Sequence, residues 1–366
     1  MMLSKLREKN LQNWLPSYLY QRLIRLRARK HAGVRHLLFA FCDHYEPLWG
    51  GVSQAVGEER VGFWVDAYPR LAGEFRDADG RSPRHSFFYP ADQYHPRLVE
   101  PLTSLAHAGH GEIELHLHHE GDTRETLRAK LVEGLDRIGS HGNFSRDDDG
   151  HMRYAFIHGD WALANSRNGR FCGVDDELTL LFETGCYADF TFPSAPDESQ
   201  PAVINQIYWP AGDLCRARAH EEAKRARAGE TSSDRLLMIQ GPLALVPRLS
   251  RMPLRIENAA VTANDPGTPA RIAQWVAQDI HVEGREDWVF VKVHTHGAAE
   301  TQAASLLGEP GRAMHRELTT RFNDGVCWKL HYLTAREMYN IAMAAMAGHR
   351  GDPYDFRDYR LRPPPL

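Results

Sequence analysis

The sequence predicts an α/β fold, specifically a distorted (β/α)7-8 barrel of parallel strands. From residue 35 onward, short apolar runs alternate with segments of helical period, which is typical of repeated βα units. Several runs, such as LLFAF at 37–41, are continuously apolar, as expected for strands covered by helices on both faces. Seven or eight such units between residues 32 and 350 favour one barrel domain over two separate domains.

The individual elements follow from the same periodicities. The predicted strands are 35–42, 85–89, 112–118, 153–158, 187–192, 236–239, 288–294 and 326–331. The predicted helices are near 57–77, 96–108, 123–139, 174–184, 269–280, 309–323 and 334–347. Two helix starts carry N-cap residues: Thr123 precedes a run containing Glu125, and Thr334 precedes Glu337 at capping-box spacing.

Three segments fall outside this repeat. Residues 1–31 contain eight basic residues and one acidic residue, a net charge of +7, and are predicted to form a basic amphipathic helix. Such a helix can pack on its own domain or make a peripheral contact with an anionic membrane surface. Residues 210–235 are rich in Ala, Arg and Glu, which predicts an exposed, partly helical insertion, and residues 351–366 form a C-terminal tail.

Composition excludes several classes of protein. The 366 residues carry a net charge of −4, which gives no nucleic-acid signal. Five scattered cysteines without a C-x-x-C pair support neither a disulfide framework nor a zinc knuckle. We expect a cytoplasmic protein, peripheral at the inner membrane surface if the N-terminal helix binds lipid. Serine-hydrolase, phosphate-loop and dinucleotide-binding motifs are absent from the sequence.

The twenty histidines are clustered, and many of them lie with acidic residues at the carboxyl ends of predicted strands. In a parallel α/β barrel these ends meet at one face, where active sites lie. Imidazole and carboxylate groups are ligands of borderline divalent ions such as Zn²⁺, Co²⁺ and Ni²⁺. Each H-x-H pair alone is explained as well by buried, hydrogen-bonded histidines, but together they favour a metal or polyhistidine site. The strand ends concerned are 41–44, 116–120, 158–161 and 294–296, together with Asp189.

These strand ends resemble the motifs of the polysaccharide deacetylase (NodB-type) superfamily of metal-dependent carbohydrate esterases. The family's T-F-D-D motif is similar to residues 41–44, FCDH, and its G-H-E-I-G-x-H motif is similar to residues 109–116, GHGEIELH. Its late Leu-His pair resembles residues 293–294, and its closing strand resembles residues 330–338. The chain therefore looks like a divergent, uncharacterised branch of this superfamily.

The resemblance implies a site with specific roles. Asp43 aligns with the general base, and His44 stands where the family has a metal-binding Asp, so either His44 replaces that ligand or Asp43 itself ligates. His116 aligns with a ligand, but Glu120 occupies the family's second histidine position, so His118 or His119 has to substitute. The resemblance thus implies Asp43, His44, His116 and His118 as metal ligands, and Asp43, His294 and Asp160 as catalytic residues. His294 would be the general acid, with Asp160 or Asp189 orienting it or a ligand.

The implied activity is removal of N-acetyl groups from an amino sugar or polysaccharide precursor, with one divalent metal ion, Zn²⁺ before Co²⁺, Ni²⁺ or Mn²⁺. Trp161 and Tyr45 could stack on the carbohydrate substrate or merely pack the barrel mouth. A phosphoesterase or amidohydrolase acting on a small molecule is the first alternative, with Arg84, Arg153 and Arg167 serving an anionic substrate. A catalytically degenerate barrel in a polysaccharide assembly complex is the second alternative.

Overall fold

A computed structural model describes residues 9–27, 31–232, 234–247 and 254–365. It has a mixed α/β fold, as predicted, with one large and mostly parallel sheet. The strands are β1 (Arg35–His44), β2 (His85–Pro90), β3 (Gly111–Leu117), β4 (Ser145–Arg146), β5 (Met152–His158), β6 (Cys186–Asp189), β7 (Ile207–Pro210), β8 (Ala223–Arg225), β9 (Leu237–Ile239), β10 (Ala244–Pro247), β11 (Leu254–Glu257), β12 (Trp288–Thr295) and β13 (Trp328–Leu333). The α-helices are α1 (Leu11–Arg27), α2 (Gln54–Gly73), α3 (Pro96–Leu105), α4 (Arg124–Gly139), α5 (Glu177–Glu183), α6 (Pro269–Ala277), α7 (Glu300–Leu306), α8 (Glu309–Arg321) and α9 (Ala335–Met346).

The eight predicted runs coincide with the eight strands of the parallel part of the sheet. Its order is β12–β1–β2–β3–β5–β6–β9, and β7 and β8 extend it in antiparallel fashion beyond β9. β12 pairs with residues 36–43 of β1 along one edge. The other edge of β1 is shared, because β13 pairs with residues 35–40 and β2 with residues 41–44. β1 is therefore the centre of the pairing scheme.

Both faces of β1 are buried, which explains its continuously apolar sequence. Leu37 and Phe39 belong to a core shared with α2 to α8, whereas Leu38 and Ala40 belong to a core shared with α9. This alternation is the two-residue period of a strand. All residues of α9 except Tyr339 are buried, so this helix is an internal element rather than a surface helix.

The sheet curves so that β12 approaches the chain that follows β9. A Cβ atom at Gly241 would lie only 2.5 Å from the backbone oxygen of Lys292, so this close approach requires glycine. The Lys292 ammonium donates a hydrogen bond to the Phe192 carbonyl oxygen at 3.2 Å, just beyond β6. In the described part of the chain, no hydrogen-bonded ladder joins β12 to β9.

Helix α9 is fixed by its cap and by a buried ion pair. The predicted capping box is present: Thr334 Oγ1 accepts from the Glu337 amide at 3.3 Å, and Glu337 Oε2 accepts from the Thr334 amide at 2.9 Å. Arg336 donates to Glu112 of β3 at 2.8 Å and to the Leu361 carbonyl at 2.9 Å. Burial lowers the pKa of Arg336, but the carboxylates of Glu112, Glu337 and Asp358 together raise it more, so the net pKa is above the ordinary value. The helix, β3 and the C-terminal segment are therefore held together by one buried guanidinium.

The segment 210–235 is mostly exposed, as expected, but its helical content was overestimated. In place of an α-helix, residues 211–232 contain a single 3-10 turn at Ala219–Glu221 and the strand β8, which pairs with β7. His220 in that turn is completely buried. The helix-favouring Ala, Arg and Glu composition is overridden here by edge pairing with β7.

The N-terminal helix α1 contacts the domain through one side only. Trp14 and Tyr18 are buried against Ile204, Leu243 and Leu245. Residues 1–8 and 28–30 of the predicted 1–31 segment lie outside the described residues. Of the helices that the structure describes, none combines the length and the apolar character that a bilayer crossing requires.

Candidate metal centre

Histidine and glutamate side chains from three strand ends meet around Glu46. The carboxyl ends of β1, β3 and β12 are brought together by the sheet, in which Cys42 pairs with His294 and Pro90 with His116. We call the resulting group the mouth cluster; it consists of His44, Glu46, His116, His118 and His296. Four of its five residues are imidazoles, and the fifth is a buried carboxylate.

Glu46 is the common neighbour in this cluster. Its Oε1 atom lies 3.3 Å from His116 Nε2, 3.3 Å from His296 Nδ1 and 3.7 Å from His118 Nε2. The His44 ring centroid lies 4.7 Å from that of His296 and 5.0 Å from that of His116. These separations place several donor atoms around one small volume, which is the arrangement that a bound cation requires.

The hydrogen bonds of His116 define which of its ring atoms is free. His116 Nδ1 lies 2.8 Å from the Ile157 carbonyl oxygen, which only accepts, so Nδ1 carries the proton. Nε2 then faces Glu46, yet it makes no hydrogen bond although it is buried. Among the described residues, His44 Nε2 and His296 Nδ1 are likewise buried without a hydrogen-bond partner. Unpaired donor atoms of this kind fit a divalent ion such as Zn²⁺.

The electrostatics favour the charged carboxylate of Glu46 and the neutral imidazole of His44, which are the forms that bind a metal ion. Burial raises the pKa of Glu46, but the adjacent His116 and His296 lower it more strongly, to about 2. Burial, followed by the neighbouring His296 and His116, holds the pKa of His44 well below its ordinary value. Burial also lowers the pKa of His118, but the carboxylates of Asp92, Glu46 and Asp160 together raise it more, so the net pKa is above the ordinary value.

The structure brings His44, His116 and His118 together as predicted, but it does not bring Asp43 to them. Successive residues of a strand point to opposite faces, so Asp43 points away from His44. Asp43 is fully buried, and its two oxygen atoms accept from the Gly297 amide at 2.6 Å and bond to His85 Nε2 at 2.9 Å. In this arrangement the Asp43 carboxylate joins the end of β12 to β2 and lies away from the mouth cluster; its role as ligand or general base stays a prediction.

His294 lies beside the mouth cluster, with its ring centroid 6.1 Å from that of His44. Its Nδ1 atom is buried and makes no hydrogen bond, and burial, followed by Lys292 and His296, holds its pKa well below the ordinary value. The His294 imidazole is therefore neutral at neutral pH, with Nδ1 left free of the other side chains in the described part of the chain.

Asp160 does not orient His294 as expected. It is exposed at the rim, and in the described part of the chain its side chain makes no hydrogen bond to His294. Its charge is one of those that raise the pKa of His118. The backbone at Asp160 turns with a φ of +53°.

A cavity of about 660 Å³ opens beside the mouth cluster. His294 and His296 form part of its wall, and Trp161, Arg167 and Asn258 form another part. The Trp161 indole nitrogen is buried without a hydrogen-bond partner. The cavity therefore gives a small molecule or a terminal sugar access to His296 of the mouth cluster and to His294 beside it.

Glu46 of the mouth cluster was not selected from the sequence, and His296 was noted only in the H-x-H pair with His294, without a role of its own. The signal that could have found them is the two-residue spacing, because Glu46 follows His44 by two positions and His296 follows His294 by two. Comparison with family models, with curated proteins and with solved structures finds no match to this chain.

Proposed function

We propose that this protein is a divalent-metal-dependent hydrolase that removes N-acetyl groups from an amino sugar or a polysaccharide precursor. The observation that carries the proposal is the mouth cluster, in which buried imidazole nitrogens without hydrogen-bond partners surround Glu46 beside a cavity. His44, Glu46, His116 and His296 would hold the ion, with His118 at the rim. The nitrogen-rich set of donor atoms favours Zn²⁺. Co²⁺, Ni²⁺ and Mn²⁺ can bind the same atoms but are less favoured.

The chemistry of such an ion suits amide hydrolysis, since a bound divalent cation polarises a carbonyl and lowers the pKa of water near it. His294 lies on the cavity wall with a free Nδ1, so it would take a proton from the attacking water and return it to the leaving amine. Trp161 on the cavity wall offers an aromatic face and an indole N–H to a sugar.

The arginines that an anionic substrate would use are engaged elsewhere. Arg167 on the cavity wall lies 3.2 Å from Glu198 and 3.6 Å from Asp197. Arg84 is paired with Glu337, and Arg153 is paired with Asp147. Because each guanidinium is already neutralised by a carboxylate, a neutral acetylated sugar fits this cavity better than a phosphate ester.

The overall architecture that we propose is a distorted (β/α) barrel of the polysaccharide deacetylase type. Support comes from the parallel order of the eight strands and from the contact between Gly241 and Lys292, which brings the two ends of the parallel sheet together. The location of the mouth cluster at the carboxyl ends of the strands is the usual position of an active site in such a barrel.

Acetate release tests this proposal directly. We expect zinc-loaded protein to release acetate and expose primary amines on N-acetylated sugar oligomers. Chelation should abolish both products, and added Zn²⁺ should restore them. Phosphate release from aryl phosphates without acetate release would assign the phosphoesterase alternative. If the protein binds no metal under metal-replete conditions and releases neither acetate nor phosphate, the alternative of a catalytically degenerate barrel is supported.

The outward side of α1 leads to a second proposal, on localisation: the protein is cytoplasmic and rests on the inner membrane surface through this helix. Leu19, Leu23 and Leu26 are 50%, 54% and 75% exposed, although Trp14 and Tyr18 on the other side are buried. Basic residues lie among the exposed leucines, as in helices that bind anionic lipid.

Liposome co-sedimentation measures this membrane contact. Burying one leucine in the lipid contributes about 1.5–3 kcal/mol. The double change Leu23→Glu and Leu26→Glu should therefore lower binding to anionic vesicles by at least roughly tenfold. Phe63→Glu, at an exposed apolar residue on α2, is the matched control and should bind as the unaltered chain does. If all three proteins sediment equally with the vesicles, whatever the salt concentration, α1 only packs against its own domain and does not bind lipid.

A further inference from the structure

A second group of potential ligands lies apart from the mouth cluster. It consists of His119 just after β3, His158 at the end of β5, Cys172, and Glu177 at the start of α5, and we call it the buried cluster. One donor atom from each residue lies within 4.8 Å of the others. All four residues are buried, and no part of the proposed hydrolase chemistry uses them.

The His158 imidazole points its unpartnered Nε2 atom toward Glu177. Its Nδ1 atom faces the carbonyl oxygen of Gly159, which only accepts, so Nδ1 carries the proton. Its Nε2 atom is completely buried and lies 3.4 Å from Glu177 Oε1, yet it makes no hydrogen bond. The electron pair of the ring nitrogen therefore faces a carboxylate oxygen, an arrangement that is favourable only with a positive charge between them.

His119 has the hydrogen-bonding pattern of a metal-bound imidazole. Its Nε2 atom lies 3.1 Å from Glu177 Oε1, and its Nδ1 atom lies 3.0 Å from Asp122 Oδ2. A histidine that ligates through one nitrogen usually donates its other N–H to a carboxylate in this way. A protonated His119 between the two carboxylates would satisfy this residue alone, but it would leave His158 Nε2 without a partner.

We propose that the buried cluster binds a structural zinc ion through two imidazoles, one thiolate and one carboxylate. Cys172 Sγ lies 3.5 Å from Glu177 Oε2, so all four donors converge. Zinc binding replaces the thiol proton, which leaves to solvent, and the thiolate and carboxylate then balance the two positive charges of the ion. Four protein ligands fill a tetrahedral coordination sphere and leave no position for water, as in structural sites.

The ion would fix the segment that separates the ligands in the sequence. Residues 159–176 run between His158 and Glu177, and Cys172 lies within them. Several of their non-glycine residues have left-handed backbone angles, which cost energy unless the surroundings hold them. These are Asp160, Trp161, Ala164, Asn165, Asn168 and Phe171. Because the same segment carries Trp161 and Arg167 to the cavity wall, the structural ion shapes the wall without contacting substrate.

Cobalt substitution of the full-length protein tests this site. Cobalt-loaded protein should show the ultraviolet charge-transfer absorption of a cobalt–thiolate bond, because Cys172 is the only cysteine in either cluster. Metal analysis should find two ions per chain. Cys172→Ser should lose the thiolate absorption and one ion, whereas Cys186→Ser, at another buried cysteine, should retain both. His116→Ala should lose the other ion and retain the thiolate absorption.

The outcomes separate this site from the mouth cluster. Absence of the thiolate absorption from cobalt-loaded, unaltered protein would overturn the proposal without recourse to any variant. A single ion that is lost from His116→Ala and retained by Cys172→Ser would also overturn it and leave the hydrolase proposal intact. A single ion that is lost from Cys172→Ser and retained by His116→Ala would support the buried cluster and would show that the mouth cluster binds no metal.

Discussion

Replacing His116 with alanine is expected to eliminate metal binding at the mouth cluster and hydrolytic activity together. His116 Nε2 is a buried nitrogen without a hydrogen-bond partner, 3.3 Å from Glu46, and its loss removes an essential donor. His294→Ala should behave differently, because His294 moves a proton and is not needed to hold the ion. It should retain the metal and lower kcat by about 10²–10⁴-fold, the usual effect of a general acid–base group.

The measurement compares zinc content and acetate release for both variants. His315→Gln on α8 is the control, since His315 is also buried but bonds to Tyr332 and contacts neither cluster. It should retain both metal and activity. Loss of zinc from His294→Ala would make His294 a ligand and refute the proton-transfer role, and normal zinc binding by His116→Ala would refute the composition of the mouth cluster.

Replacing Arg336 with methionine is expected to destabilise the fold by about 3–5 kcal/mol, the cost of leaving one partner of a buried ion pair without the other. Arg336 is 2% exposed through its side chain, and Glu112 is 4% exposed. Removal of the guanidinium leaves the Glu112 carboxylate with the Thr334 hydroxyl at 2.9 Å and the more distant Arg84 guanidinium at 3.7 Å.

The free energy of unfolding in urea, measured for three variants, shows whether Arg336 stabilises the fold through its ion pair with Glu112 or only through packing. The double variant Arg336→Met with Glu112→Gln should recover part of the lost free energy, because it buries no unpaired charge. Arg312→Met, at a more exposed ion pair with Glu74, is the control and should cost no more than about 1 kcal/mol. A loss below about 1 kcal/mol in Arg336→Met would show that Glu112 gains access to water when Arg336 is absent.

The fold class was predictable because the parallel strands are encoded locally. Their apolar runs are continuous where both faces are covered, and Thr334 and Glu337 mark the start of α9 by a hydrogen-bonded cap that depends only on spacing. β8 was missed because its pairing with β7 decides its conformation, and the composition of residues 210–235 carries no sign of that pairing.

The candidate site was predictable only in part. His44, His116 and His118 were found because strand ends gather at one face of a parallel sheet. The family resemblance puts Asp43 beside His44 in the site, whereas the alternation of β1 sends the two side chains to opposite faces, and Asp43 bonds to His85. Cys172 has no periodic relation to its neighbours in the buried cluster, since the irregular backbone of residues 159–176 sets its position.

The position of β1 at the centre of the sheet has a consequence for the order in which the chain is assembled during synthesis. β1 is made early, but β12 and β13, which pair with its two edges, end at residues 295 and 333. At about 5–20 residues per second, β1 waits roughly 15–60 s on the ribosome for β13. During that interval its apolar run has unpaired edges, which makes the nascent chain a natural client for a chaperone that binds extended apolar segments.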